Sequence, residues 1–149
     1  MLRSWTLLLM TLMLVVTGCS LHPPLALYQL DSGHPQIPTA KSGALVLLGP
    51  LTLADYLQRD QLLQRQLDGS LSVAHEAQWA GSLSADVQQL LLRQLAGRLQ
   101  TPNILLAPAG PGVSADLQVQ VSISRLDSGP QTPAVLHAQW RLLDKAGQL

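Results

Sequence analysis

Hydrophobic and polar positions along the chain change period several times, and each change predicts a different element. From Ala115 to Asp127 the residues alternate, with Leu117, Val119, Val121 and Ile123 on one side and Gln118, Gln120, Ser122 and Ser124 on the other. A period of two is that of a half-buried antiparallel strand. Ala134 to Asp144 alternates as well, which predicts Leu136, Ala138, Trp140 and Leu142 inward and His137, Gln139 and Arg141 outward. Leu25 to Asp31 reads as a first strand, and Ser32 to Gly43 as a loop rich in Gly, Pro and Ser. Ala44 to Pro50 is a continuous apolar run, the pattern of a central strand, and its Gly49-Pro50 pair predicts a stop.

The period lengthens between Ser82 and Pro102. Val87, Leu90, Leu91, Leu95 and Leu99 fall on one stripe at helical spacing, with Gln88, Gln89, Arg93 and Arg98 away from it. Ser84 suits the N-cap, Asp86 the positive first turn, and Pro102 the stop. Asp68-Gly69 separates two modestly apolar stretches, Gln61 to Leu67 and Ser70 to His75, and predicts a hairpin after a helical turn at Ala54 to Leu57. A helix over Tyr56 to Leu67 competes with that reading. Asn103 to Pro108 adds a short strand, and Asp144 to Gly147 a turn. Together these elements predict an α+β fold, a mostly antiparallel sheet with one main amphipathic helix packed on it. Gln148-Leu149 looks like the start of a strand, so the reading expects either a partner over that sheet edge or a longer natural chain, and favours the longer chain.

The N-terminus follows neither period. Arg3 precedes Trp5 to Val16, a run of apolar residues and threonine without a charge. A membrane-spanning helix needs about 20 apolar residues. This shorter run with its basic flank fits a secretory signal peptide. At its end Val16, Thr17 and Gly18 precede Cys19, the chain's only cysteine. An aliphatic residue, two small ones and a cysteine resemble the bacterial lipobox. The thiol there would take a diacylglyceryl group, and cleavage before Cys19 would expose an amine for a third acyl chain. One chain anchors marginally and two or more stably. The sorting rule that the motif implies reads Ser20 as permitting passage to the outer membrane. The expected organisation is therefore a lipoprotein signal peptide at 1–18, a lipidated tether at 19–24 stiffened by Pro23-Pro24, and a periplasmic domain at 25–149.

Composition narrows the functional classes. The 149 residues carry nine basic and nine acidic side chains, 12% charged residues in all. That balance excludes the concentrated basic face of a nucleic-acid binder. A single cysteine excludes an intramolecular disulfide and a multi-cysteine metal site. His22, His34, His75 and His137 are scattered over tether, loop and exposed-strand positions, and His75-Glu76 lacks the second histidine of a zinc-protease helix. No nucleophile elbow or phosphate loop occurs. No catalytic residue, metal ligand or cofactor is expected.

The order of the remaining motifs resembles a family, the ABC-type transport auxiliary lipoproteins of the paraquat-inducible protein C type (domain of unknown function 330). The carriers are the lipobox, Tyr28 and Leu30, Gly49-Pro50, and Tyr56-Leu57-x-Arg59. Trp79, Ala80 and Leu83 follow, then the amphipathic helix and Trp140 ahead of Leu142-Leu143-Asp144. The family often has Pro at Ala54 and Asp60, Arg at Gln78 and Glu at Gly81. The family also continues with another strand and a helix, which adds to the expectation of a longer natural chain. The resemblance implies a non-catalytic subunit of a mammalian-cell-entry (MCE) lipid-transport system. Such a subunit sits on the periplasmic face of the outer membrane through acylated Cys19 and docks an MCE-domain tunnel protein. A homo-oligomer is compatible with it. The competing class is an independent structural or assembly lipoprotein, of the LPS-assembly or secretion-pilot type.

Overall fold

A computed structural model describes residues 24–31, 33–37, 39 and 43–149. Among them seven strands and one α-helix follow in the order β1 (Ala26–Tyr28), β2 (Val46–Leu53), β3 (Gln61–Arg65), β4 (Leu71–Trp79), α1 (Leu83–Leu99), β5 (Ile104–Leu106), β6 (Leu117–Gly129) and β7 (Thr132–Asp144). A 3-10 turn at Asp55–Leu57 joins β2 to β3, where the sequence predicts a helical turn. The competing helix over Tyr56 to Leu67 does not form. Gln61–Arg65 pairs instead with Leu71–Trp79 across a turn in which Gly69 has φ +86°, a conformation that glycine adopts without strain.

The class is α+β with one main helix, as the periodicity predicts, and the sheet is mixed. Its order is β1-β4-β3-β6-β2-β5, with β7 on the other edge of β6. The longest ladder, β6 with β7, is antiparallel and runs from Leu117↔Asp144 to Gly129↔Thr132. β2 pairs parallel with both β5 and β6, and β1 parallel with β4. β6 is long enough to serve two groups of strands. Its first half pairs with β2, and its end meets β3 at Gln64↔Ser128.

Gly49-Pro50 does not stop β2, contrary to the sequence expectation. The strand continues to Leu53 through a register shift between Leu48 and Leu51. The reason lies in the neighbours. β5 pairs only with Val46–Leu48, so beyond that point β2 has one ladder to maintain, and an edge tolerates a proline. The Gln118 side chain donates to the Gly49 carbonyl at 2.8 Å.

The helix begins two residues earlier than the sequence suggests. Ser82, not Ser84, is its N-cap, and its hydroxyl accepts from the Ala85 N–H at 3.4 Å. Asp86 stands in the first turn as expected, and Gln100 closes the helix at φ 53°. The apolar stripe packs on the sheet in two clusters. Leu53, Leu57, Leu83, Val87 and Ile123 form one, and Val46, Leu48, Ala96 and Ile104 the other, with Leu91 touching both. Leu99 falls outside the core at 54% exposure, whereas Ala96 is buried. A small residue at 96 lets the helix axis approach the β2–β5 end of the sheet.

The inward face expected for β7 is exposed. Leu136 is 58%, Trp140 72% and Leu142 42% accessible. The register explains which face this is. Leu142 lies opposite Val119, Trp140 opposite Val121 and Ala138 opposite Ile123, so β7 shares the helix-bearing face of β6. A helix is about 10 Å across and strands are spaced about 4.8 Å apart, so one helix covers two or three strands. Here it sits on β2 and β5 and reaches the side chains of β6, and β7 extends beyond it.

Candidate functional site

The residues that the sequence singles out for chemistry, Val16, Thr17, Gly18, Cys19 and Ser20, lie outside the described residues, as does His22. His34, His75 and His137 are exposed and far apart in the chain. Among the described residues no three His, Cys, Asp or Glu side chains gather as a metal site. No helix among them is long and apolar enough to cross a membrane.

The polar centre that the fold builds is one the periodicity does not reveal. After Ile123 the β6–β7 register shifts by one residue at Ser124, a β-bulge. Leu126 therefore returns to the face of Ile123, and Arg125 and Asp127 share the opposite one. The Asp127 side chain is 1% exposed. Its carboxylate accepts from Arg65 Nε at 2.9 Å and Nη2 at 2.7 Å, a two-point pairing. It also accepts from Arg125 Nη2 at 3.0 Å and from the Tyr56 hydroxyl at 3.1 Å. The Tyr56 oxygen in turn accepts from the Leu126 N–H at 3.1 Å. Hydrogen bonds from Arg65 above all, then from Arg125 and Tyr56, hold the Asp127 carboxyl well below the usual carboxylate range against the opposing effect of burial. The same contact raises Arg65. All of the acceptor capacity of Asp127 is directed at residues of the fold, which makes the cluster a clamp joining β3, β6 and the 3-10 turn rather than a reactive site.

Gly129 completes that junction. A Cβ there would stand 1.9 Å from the Arg65 carbonyl oxygen, so only glycine lets β6 pass β3 this closely. Beside the clamp lies an apolar cleft of about 130 Å³ whose lining includes Leu30, Tyr56, Leu63, Trp79, Leu126 and Ala134. It is the size of a single apolar side chain. Tyr56, Leu57 and Trp79, motif residues of the resemblance, thus serve the core and the clamp. Arg59 is exposed.

The described residues thus form a mixed sheet with one α-helix, tied together by an Arg–Asp–Tyr clamp around the buried Asp127. The family model for the ABC-type transport auxiliary lipoprotein component matches residues 28–149. The chain belongs to this family. Its fold is similar to the crystal structure of a Xanthomonas campestris protein of the domain of unknown function 330 family, at TM-score 0.58 and 16% identity over 85% of this chain and 68% of that one. A second solved structure, of an uncharacterised protein, matches at TM-score 0.56 and 15% identity over 82% of this chain and 81% of that one. No curated protein matches the chain.

Proposed function

We propose that this protein is an outer-membrane-anchored periplasmic lipoprotein and an accessory subunit of an MCE-type ABC lipid-transport system. The observation that carries the anchor is Val16-Thr17-Gly18-Cys19 at the end of a charge-free apolar run, ahead of a domain of the transport auxiliary lipoprotein family. Residues 1–18 are removed as a signal peptide, Cys19 becomes the acylated N-terminus, and Ser20 permits transfer to the outer membrane. With acyl chains at about 0.8 kcal/mol per buried CH₂, two or three chains hold the domain on the membrane without a spanning helix. The subunit is a docking part rather than a catalyst, and its partner is an MCE-domain protein that carries lipid across the periplasm.

Metabolic labelling with a fatty acid, followed by density fractionation of the envelope, tests the anchor. The wild-type chain is expected to be labelled and to sediment with outer membranes. Cys19→Ala is expected to lose the label and appear as uncleaved precursor. A Cys19→Ala chain that still matures and fractionates with outer membranes refutes the anchor. Co-purification of an MCE-domain protein from crosslinked envelopes tests the partner separately, and recovery of the chain without one over repeated preparations refutes that part.

A further inference from the structure

The first strand is unusual in what it leaves uncovered. Among the described residues β1 is the end strand of its sheet and pairs only with β4, at Ala26↔Ala77, Leu27↔Gln78 and Tyr28↔Trp79. Adjacent strand residues point to opposite faces, so Leu27 and Tyr28 project on the two sides of the sheet edge. Both are exposed, at 60% and 51%, and Leu25 ahead of them is 49% exposed. An edge strand normally carries charge toward solvent. This one carries none, and from Ser4 to Leu30 the chain has no Lys, Arg, Asp or Glu at all. The strand is nevertheless held in place, because Gln29 donates to Asp86 of α1 at 3.2 Å and the Ala80 N–H donates to the Tyr28 carbonyl at 2.7 Å.

The chain ahead of the strand says what lies beside it. Five residues lie between Cys19 and Leu25, a span of at most about 20 Å. We propose that Leu25, Leu27 and Tyr28 form a membrane-contact edge, lying in the headgroup layer of the bilayer that holds the acyl chains of Cys19. This rests on the anchor proposed above and adds a partner surface to it, the lipid itself. Leucines supply apolar area at that depth, and a tyrosine suits an interface where one end is apolar and the other wet. Asp31 follows the strand and Glu76 precedes the Ala77 partner of Ala26, so attraction to anionic lipid is not the drive. The contact therefore forms on zwitterionic lipid and persists at high salt. It also orients the domain, with β1 toward the membrane and β5, the strand at the other end of the sheet order, away from it.

The lone cysteine makes the test clean. In the acylated full-length protein Cys19 is blocked, so Leu27→Cys, and separately Leu25→Cys, accepts one environment-sensitive fluorophore. Leu105→Cys on β5, 40% exposed, is the control. The proteins are placed in phosphatidylcholine vesicles with and without lipid bearing a nitroxide high on the acyl chain. Positions 25 and 27 are expected to shift to the blue and to be quenched about twofold or more by the nitroxide, unchanged by salt, while position 105 does neither. Equal behaviour at 27 and 105 overturns the contact. A blue shift at 27 that depends on protein concentration and ignores the nitroxide overturns it in favour of a second copy of the chain. The mass of the N-terminal peptide separates the two proposals. An acylated Cys19 with an unshifted probe refutes the contact alone, whereas an unmodified Cys19 refutes the anchor and the contact with it.

Discussion

Asp127 shows how much a single buried charge can organise. It is the point where β3, β6 and the 3-10 turn are tied, through Arg65, Arg125 and Tyr56. Removing one partner of a buried pair leaves the others uncompensated, so Asp127→Ala is expected to destabilise by about 2–4 kcal/mol, discounted for the partly exposed arginines. Urea unfolding followed by far-UV circular dichroism measures it. The pH dependence follows from the sign of the shift. The folded carboxyl is held below its ordinary value, so between the two values the unfolded chain binds more protons and stability rises with pH. The contribution is complete above the ordinary carboxylate range near pH 4 and is lost as pH falls below it. Asp127→Asn is expected to flatten the acid limb of a stability–pH profile while leaving its shape near neutrality unchanged. At Gly129 the backbone of β3 is the obstacle, so a methyl group cannot be absorbed by a moving side chain. Gly129→Ala is expected to cost roughly 1–3 kcal/mol, and a drop in thermal midpoint measures it. Tyr56 belongs to a motif of the family resemblance, but Arg65, Arg125 and Asp127 are announced by none. The sequence signal is a pair of charges, Arg125 and Asp127, interrupting an otherwise uncharged strand.

At the scale of elements, the helix and the last two strands are the parts most legible from periodicity, and their details separate what pattern can and cannot say. The amphipathic stripe places α1 correctly. Its start depends on which of two serines folds back, and Ser82 and Ser84 carry the same side chain. Ser82→Ala is expected to cost about 0.5–1 kcal/mol, and Ser84→Ala distinctly less, in a thermal denaturation comparison. Alternation places β7 and identifies its apolar side correctly, since Trp140 and Leu142 face the same way as Val121 and Val119. Alternation does not say how far the covering helix reaches, and here it stops short. The two leucines Leu48 and Leu136 make the contrast measurable. Leu48 is 3% exposed, and Leu48→Ala is expected to cost about 2–5 kcal/mol. Leu136 is 58% exposed, and Leu136→Ala is expected to cost under about 1 kcal/mol in the same denaturant series.

At the scale of the whole molecule the proposed function turns on orientation. On the proposed function, a domain of this transport auxiliary family tethered to the membrane by a few residues serves by where it sits and which face it presents. If β1 faces the bilayer, then β5 and the exposed strand β7 are the surfaces left for a protein partner. Fractionation of Cys19→Ala and the probe series on β1 test the two halves of that picture independently.

Sequence alone determined the α+β class, the amphipathic helix, the hairpin at Asp68-Gly69, the strong alternation of β6 and β7 and the family, because each is written in local period or in an ordered set of short motifs. Tertiary structure alone decided the rest. It set the parallel neighbours of β2, the passage of that strand through Gly49-Pro50, the choice of Ser82 as the cap, the burial of Asp127 and the exposure of Trp140. All of these depend on which strand lies beside which and on where one helix ends, and residues distant in the chain settle both.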